Sequence, residues 1–448
     1  MISPWIGIIS VLFALGAIFV GLKLYGKKYG LKPEFSRKAV HILLGCITLS
    51  FPWVFREPWA VLVLGILALA ALLSIRLMKV LKNSLGSVLY SVSRDSLGEI
   101  YFPISVVVLF FLSHGNKVFY AIPILMLTFA DSTAALIGSS YGRKNLAVEK
   151  EDIKSLEGTV VFFIVAFIST LVPILLFTSI GRAEALLLSL IMGILAALIE
   201  VVSYNGNDNL LVPLLGYAFL IIHANLSVEK LLASFLVIAG LAIFAFFWNK
   251  RASLSRLGVI TGLLGVYLIV ILGGWMWAFP PLILFVTYSI LPSLNEFEKK
   301  QVMNHHIVTT NIAAGLVWVW LAAVTGLDEL FFYGFVGTFA FHLGMNTYIR
   351  LNYNNNYTES RSVLVSFIKS AVFIVLPGII LNYYAYGHII DMKFIFILLI
   401  SLLLSILAVV KLKKYTHYEI VDTKSGWINT GIALILSSTM IFVKYLIG

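Results

Sequence analysis

The chain has 448 residues, of which 60% are hydrophobic and 12% are charged, and its mean hydropathy is +0.99. This composition excludes an ordinary water-soluble globular protein and favours one that is solvated by lipid. The formal net charge of +11 comes from basic residues spread over short loops, which favours anionic lipid and an anionic substrate over nucleic acid. Cys46 is the single cysteine, so a disulfide within the chain and a Cys-rich zinc site are excluded and any metal must have oxygen ligands.

The apolar runs predict an all-α protein, a polytopic transmembrane helical bundle of about 15 to 16 spans. The first run ends in the basic segment 23–38 instead of a small-residue cleavage site, which indicates a first span and not a signal peptide. The run 99–113 is short and contains Pro103, so we expect a broken or re-entrant helix there. The predicted spans lie near residues 5–22, 39–55, 58–76, 99–113, 118–138, 158–180, 183–203, 209–226, 229–248, 257–274, 276–294, 307–326, 330–349, 362–385, 394–410 and 426–446.

The distribution of basic residues predicts the orientation of these spans. An extracytoplasmic N-terminus places most of the 32 Lys and Arg residues in or beside inner loops, as the positive-inside rule requires. The C-terminus is then also extracytoplasmic, and the polar clusters face the cytoplasm. The basic turn 248–256 separates these clusters into two groups, so it predicts two transmembrane modules, 1–248 and 256–448.

Acidic residues near the inner ends of the spans are the first functional candidates of the N-terminal module. Glu99 opens one span, Asp131 lies about 10 Å above the inner end of another, and Glu200 lies near the inner end of a third. Asp208 and Asn209 begin the next span. Because a carboxylate inside a bilayer is costly without a partner, such residues are candidates for function.

The inner loops supply cations beside these acids. Carboxylates that bind Mg²⁺, together with Lys and Arg that neutralise phosphate oxygens, are what phosphoryl transfer requires. Glycines at 138, 142 and 158 are expected to let the backbone approach a phosphate. Plainer interpretations stay open: the basic residues can be membrane anchors, Glu99 can pair with Arg94, and Glu157 can be a solvated or capping acid. The candidate residues of the inner loops are Arg37, Lys38, His41, Arg143, Lys144, Lys154, Ser155, Glu157 and Gly158.

Several short motifs in a fixed order resemble the phytol, farnesol and dolichol kinase family over roughly residues 30–225. The resemblance implies transfer of the γ-phosphate of CTP, or of a related nucleotide, with Mg²⁺ to the hydroxyl of a long isoprenoid alcohol. The motifs are Arg37-Lys-Ala-Val-His41, Gly98-Glu-Ile-Tyr-Phe-Pro103, Asp131-Ser-Thr-Ala-Ala, Gly138 to Lys144, Lys154-Ser-Leu-Glu-Gly-Thr159, Glu200 and Asp208-Asn-Leu-Leu-Val-Pro213.

Under this resemblance each candidate receives an expected role. The acids would bind Mg²⁺ or orient the attacking hydroxyl, and these are Asp131, Glu200 and Asp208. The triphosphate would be held by Arg143, Lys144 and Lys154, with a phosphate contacted from the opposite side by Arg37, Lys38 and His41. Glu99 would orient one of these cations, and the remaining nucleotide contacts would come from Ser155, Glu157, Gly158 and Asn209.

Other functions remain open at this stage. A CTP-dependent phosphatidate cytidylyltransferase combines the same nucleotide, metal and membrane setting, and the basic loops could serve either reaction. A lipid transporter or a lipid-binding scaffold is the alternative without chemistry, although the acids cluster near one face and no matched pair of broken spans is visible. Oligomerisation is also left open.

The C-terminal module weakly resembles the membrane family that contains phytyl-phosphate kinase. The acidic motif of that family has its nearest counterpart in Gly344-Met-Asn-Thr-Tyr-Ile-Arg350, where Asn346 occupies the expected Asp position. An amide is a poor substitute for a carboxylate on Mg²⁺, so a second phosphorylation step is in doubt and a scaffold is the alternative. His342 is expected to be packed and not to bind a ligand.

Overall fold

The computed structural model describes residues 3–30, 33–78, 96–149, 152–247, 256–289, 305–353 and 358–387, together with short stretches between 395 and 441. The chain divides into two compact units, Met1–Ile243 and Phe244–Gly448. The predicted spans 394–410 and 426–446 lie largely outside the described residues.

The first unit is built from helices that begin and end close to the predicted spans. Proline stands in the first turn of several of them, where its missing N–H costs no hydrogen bond. The helices are α1 (Pro4–Tyr29), α2 (Pro33–Leu49), α3 (Phe51–Val54), α4 (Pro58–Leu77), α5 (Gly98–Leu112), α6 (Lys117–Leu125), α7 (Asp131–Tyr141), α8 (Leu156–Phe177), α9 (Arg182–Val202), α10 (Asp208–His223) and α11 (Val228–Phe247).

Two local features of this unit depart from the predictions. Helix α5 is continuous through Pro103, so the expected break is wrong; one missing N–H removes only one backbone hydrogen bond from the helix. A π-helical segment, Met126–Ala130, joins α6 to α7 in one unbroken span. Such segments change the direction of the side chains that follow, and Asp131 follows directly.

A short β-hairpin that the sequence analysis did not predict lies between α7 and α8. Strands β1 (Asn145–Glu149) and β2 (Asp152–Ser155) pair antiparallel, with Ala147 opposite Lys154. The Ser155 hydroxyl then accepts a hydrogen bond from the Gly158 N–H at 3.1 Å and caps α8. The hairpin therefore connects two spans and places Lys154 two residues before the start of α8.

Buried apolar side chains form the core of the first unit. Tyr120, Ile124 and Leu127 of the long span are completely buried and pack with Leu109 and Val61. The Tyr120 hydroxyl donates to the carbonyl of Thr48 at 3.0 Å, so this buried donor has a partner.

The second unit is also helical. It has its own core, in which Trp277 lies edge-on to Phe332 and Phe335. His342 is buried between Phe339 and Phe341, and therefore it is packed as expected. Its elements are α12 (Arg256–Gly273), a 3₁₀ turn (Trp275–Ala278), α13 (Phe279–Ser289), α14 (His305–Thr325), α15 (Asp328–Tyr353), α16 (Glu359–Ser370), a π-helical segment (Ala371–Val375) and α17 (Leu376–Tyr386).

Hydropathy and length together confirm the predicted fold class. Among the described residues, eight helices are long and apolar enough to cross a membrane, and four further apolar helices are shorter. Many of their large apolar side chains face outward, which is expected where lipid is the solvent. The chain is an all-α, multi-pass integral membrane protein, and the residues that the structure describes include one short hairpin.

Candidate functional site

One large cavity in the first unit brings most of the predicted site residues together. It has a volume of about 1210 Å³ and is lined by α1, α2, α4 and α5, the α7–hairpin–α8 region, and the segment 200–209. Eleven of the fourteen candidates lie on its wall: Arg37, Lys38, His41, Glu99, Asp131, Lys154, Ser155, Gly158, Glu200, Asp208 and Asn209.

Asp131 is the centre of the first charged group. The Lys38 ammonium donates to its Oδ2 atom at 2.7 Å, and the two side chains are 5% and 9% exposed. His41 Nε2 lies 3.6 Å from the same oxygen and 3.0 Å from the carbonyl of Leu127, in the π-helical segment. Arg37 and His41 stand one helical turn apart on α2, so α2 and the π-helical segment together position this group.

Lys154 and Glu200 form the second charged group. The ammonium donates to Glu200 Oε1 in a close ion pair that joins β2 to α9. Lys154 also interacts electrostatically with Asp208 and Asp131, so the two charged groups share one field. Burial lowers the pKa of Lys154, but the attraction of these carboxylates outweighs burial, and its pKa lies above the ordinary value. Lys154 is therefore fully protonated at neutral pH.

Glu99 has a partner that the sequence analysis missed. Arg76 Nη1, at the end of α4, donates to Glu99 Oε1 at 2.6 Å and to the Ser96 carbonyl at 2.8 Å. Twenty-three positions separate Arg76 from Glu99, and the predicted partner Arg94 lies outside the described residues. A lone arginine at the end of an apolar span was the available signal, because such a charge needs a partner.

The segment before α10 is fixed against the start of α5. Asn209 Nδ2 donates to the Gly98 carbonyl at 2.9 Å, and the Leu97 N–H donates to the Asn205 carbonyl at 3.0 Å. Asn205 and Gly206 have positive φ angles of 52° and 82°, and a Cβ atom on Gly206 would lie 2.4 Å from the Gly98 nitrogen. The close contact at this turn therefore requires glycine at position 206. The hydrogen bonds hold the start of α10, with Asp208 and Asn209, against the start of α5 on the cavity wall.

Glycines near the hairpin serve helix packing. A Cβ atom on Gly158 would lie 3.0 Å from the Ala134 carbonyl, and one on Gly138 would lie 2.9 Å from the Ser155 hydroxyl. The space beside these glycines is thus filled by protein, which lets α7 and α8 approach closely. The phosphate-binding role expected for Gly158 stays a prediction.

Three candidates lie beside the cavity and not on its wall. Arg143 and Lys144 are exposed at the entrance to the hairpin, next to Gly142 and Asn145, which line the cavity. The Glu157 carboxylate accepts a hydrogen bond from the Lys144 N–H at 3.4 Å and so ties the two ends of the hairpin together. These residues lie beside the charged end of the cavity without lining it.

The site residues suit a metal ion that is bound to a nucleotide. Among the described residues, no group of three His, Cys, Asp or Glu side chains is placed to hold one metal ion. Asp131 and Glu200 each have one carboxylate oxygen in an ion pair with lysine, which leaves the second oxygen of each for another ligand. Mg²⁺ commonly binds one or two carboxylates together with substrate phosphates, so this donor set fits a nucleotide-bound Mg²⁺.

Comparison with known proteins places the chain in a family. No family model and no solved structure matches the chain. A phytol kinase from Synechocystis sp. is 33% identical over 213 residues, which are 47% of this chain and 88% of that relative. A relative of this identity, matched over most of its own length, shows that the chain belongs to the phytol kinase family.

Proposed function

We propose that this chain is an integral-membrane kinase that transfers the γ-phosphate of CTP, or of a related nucleotide, to the hydroxyl of an isoprenoid alcohol. The observation that carries this proposal is the continuity of the cavity, whose charged end opens into an aliphatic chamber between α1, α2, α4 and α5. A phosphate donor and an alcohol with a long apolar tail require these two environments side by side. The phytol kinase relative agrees with an alcohol as acceptor.

The charges of the polar end suit a triphosphate that arrives with a cation. Lys38 balances Asp131, Lys154 balances Glu200 and Arg76 balances Glu99, and the remaining charges on the wall, Arg37 and Asp208, have opposite signs, so the polar end has no surplus of positive charge. A bare triphosphate would gain little from such a site, whereas a Mg²⁺-bound triphosphate brings its own positive charge. We expect Asp131, Glu200 or Asp208 to hold this Mg²⁺ together with phosphate oxygens. When bound, the ion would neutralise charge that develops on the phosphates.

Helix starts at the polar end favour anions further. The first residues of α5 (Glu99), α8 (Ser155 and Gly158) and α10 (Asp208 and Asn209) all line the cavity. The N-terminus of a helix carries unpaired N–H groups and a partial positive charge. The N–H groups of Gly158 and Asn209 already have side-chain acceptors in Ser155 and Asp208, so the other N–H groups of these three helix starts, with Arg37 on the same wall, would support phosphate groups.

The proposed reaction uses the charged groups as follows. The alcohol oxygen attacks the γ-phosphorus and forms the new P–O bond, while the bond from that phosphorus to the β–γ bridging oxygen breaks and the nucleoside diphosphate leaves. Asp131, which is held as a carboxylate by Lys38, is the group that orients the hydroxyl and takes its proton. Lys154 would neutralise the phosphoryl oxygens from the Glu200 side.

The orientation of the chain belongs to the same proposal. The charged end of the cavity would face the cytoplasm, where nucleotide is present, and both termini would be extracytoplasmic. Asn346 stands where the resembled family has an acidic residue for Mg²⁺, so the second unit could continue the reaction only if another group supplied that carboxylate. We therefore assign catalysis to the first unit alone.

Phosphate transfer by the purified full chain tests the proposal. The protein in detergent would receive γ-labelled CTP, ATP or UTP with Mg²⁺ and a prenol, diacylglycerol or phosphatidate as acceptor. We expect label on the prenol, with CTP as the best donor, and no transfer by Asp131→Asn. A matched control is Glu229→Gln, which removes an exposed acid outside the cavity wall. Absence of labelled prenol with every donor would contradict the kinase.

A further inference from the structure

We propose that the isoprenoid tail of the alcohol enters the cavity sideways from the bilayer, through a gap between α1 and α4 at which Gly16 lies. This inference rests on the proposed kinase function for the identity of the occupant. The gap itself follows from the exposure and chemistry of the cavity wall.

Exposure of the wall residues locates the opening. On α1, the wall residues Leu12 and Val20 are 38% and 50% exposed, and Gly16 between them is also exposed. On α4, the wall residues Leu67 and Ala71 are exposed in the same way. The wall residues contributed by α2 and α5 are all buried or half-buried. Among the four helices that line the apolar part of the cavity, the residues that face both the cavity and the exterior therefore lie on α1 and α4, one helical turn apart on each.

The opposite end of the apolar chamber is closed. Val11, Phe51 and Val61 line the cavity there and are buried. Trp5 and Trp59, in the first turns of α1 and α4, lie with ring centroids 5.3 Å apart and hold the two helices together at this end. The gap between α1 and α4 thus lies beyond the tryptophan pair, on the side toward the charged groups.

The chemistry of the gap selects an aliphatic chain as its occupant. All cavity-lining residues of α1 and α4 are apolar, so a charged nucleotide would be desolvated there without a partner. On α4 the wall extends from Val61 to Ile75, about 21 Å of helix at 1.5 Å per residue. This length exceeds half of the roughly 30 Å hydrocarbon core of a bilayer, so the cavity can hold a tail as long as one leaflet is thick. Continuity with the charged end then brings the hydroxyl to Asp131.

Gly16 is the position at which the gap can be obstructed with the least disturbance. A Cβ atom added there meets no atom within 4 Å, whereas one added to Gly65 of α4 would lie 2.3 Å from Val107. Gly21 also has open space around it and lies on the same helix, but it does not line the cavity. Gly16→Trp and Gly21→Trp therefore form a matched pair of equal size and equal cost to the helix.

Kinetics in lipid nanodiscs test the gap directly. We expect Gly16→Trp to lower kcat/KM for geranylgeraniol by about tenfold or more relative to Gly21→Trp, because a bulky ring opposes passage of a long tail. With 3-methylbut-2-en-1-ol, a five-carbon alcohol supplied from water, the two variants should differ much less than with geranylgeraniol, because this alcohol has no long tail to pass through the gap. Equal rates of both variants with geranylgeraniol would overturn the proposal.

Chemical labelling separates failure of the gap from failure of the kinase. In a Cys46→Ala background, Gly16→Cys should react with a lipid-soluble maleimide and be protected by geranylgeraniol, while Gly21→Cys should react without protection. This result is expected even if no alcohol is phosphorylated, in which case the function fails and the gap stands. Labelling at Gly16→Cys that is unchanged by geranylgeraniol would refute the gap whether or not the wild-type protein is active.

Discussion

Removal of the Lys38 charge should destabilise the first unit far more than removal of an exposed lysine. Lys38 and Asp131 are 2.7 Å apart, and their side chains are 5% and 9% exposed, so Lys38→Met leaves a buried carboxylate with His41 at 3.6 Å and the field of Lys154 as its remaining partners. Breaking a buried ion pair from one side costs about 3–5 kcal/mol. For a unit of this size that corresponds to a midpoint lower by roughly 6–20 °C, at 2–4 °C per kcal/mol.

The double variant Lys38→Met/Asp131→Asn separates the effect of an unpaired buried charge on stability from the effect of the changed side-chain volume. Because the buried charge is then absent, we expect most of the lost stability to return, whereas phosphate transfer should not return. The assay is the temperature at which half of the protein is lost from the monodisperse peak on size exclusion after heating in detergent. Lys230→Met, at an exposed position, is the control. The reasoning is refuted if Lys38→Met equals this control or if the double variant regains nothing.

The remaining predictions concern three other contacts. Lys154→Met should abolish transfer, and Lys154→Arg should retain part of it. Because the pKa of Lys154 is raised above 10.5, its charge and its contribution to stability persist below that pH and are lost only as the pH rises past the raised pKa. A rate profile with a Lys154 titration below pH 9 would contradict this expectation. Arg76→Met should lower the free energy of unfolding by at most about 1 kcal/mol, since the pair with Glu99 is partly exposed. It should nevertheless lower the transfer rate, because the start of α5 is displaced. An unchanged rate would show that Arg76 has no positioning role. Gly45→Ala should lower stability by about 1–3 kcal/mol in the same heating assay, because its Cβ atom would lie 2.1 Å from the Thr128 hydroxyl; an unaltered midpoint would show that the packing relaxes freely.

Hydropathy and buried charge made much of this protein predictable from sequence. A span must be long and apolar, so α4 begins and ends within one residue of its predicted bounds. Acids inside spans are costly enough to indicate function, and Asp131, Glu200 and Asp208 do line one cavity. These three acids converge because each lies near the same end of its span.

Partners and local irregularities were not predictable in the same way. Composition shows that Asp131 needs a cation but not that Lys38 supplies it, because the two lie 93 positions apart and α2 must first pack against the π-helical segment. Arg76 meets Glu99 only through the relative placement of α4 and α5. The hairpin at 145–155 is a short polar run without a strong alternating pattern, so periodicity gave no signal for it.

Doubly labelled CTP tests the central claim most directly, that the cavity joins a phosphate donor to an alcohol. Purified protein would receive CTP with distinguishable labels on its α- and γ-phosphates, Mg²⁺, and geranylgeraniol or phosphatidate. The account predicts that the γ-label moves to geranylgeraniol while the α-label stays with the nucleotide. Transfer of the α-label to phosphatidate, with release of pyrophosphate and no label on the alcohol, would contradict it.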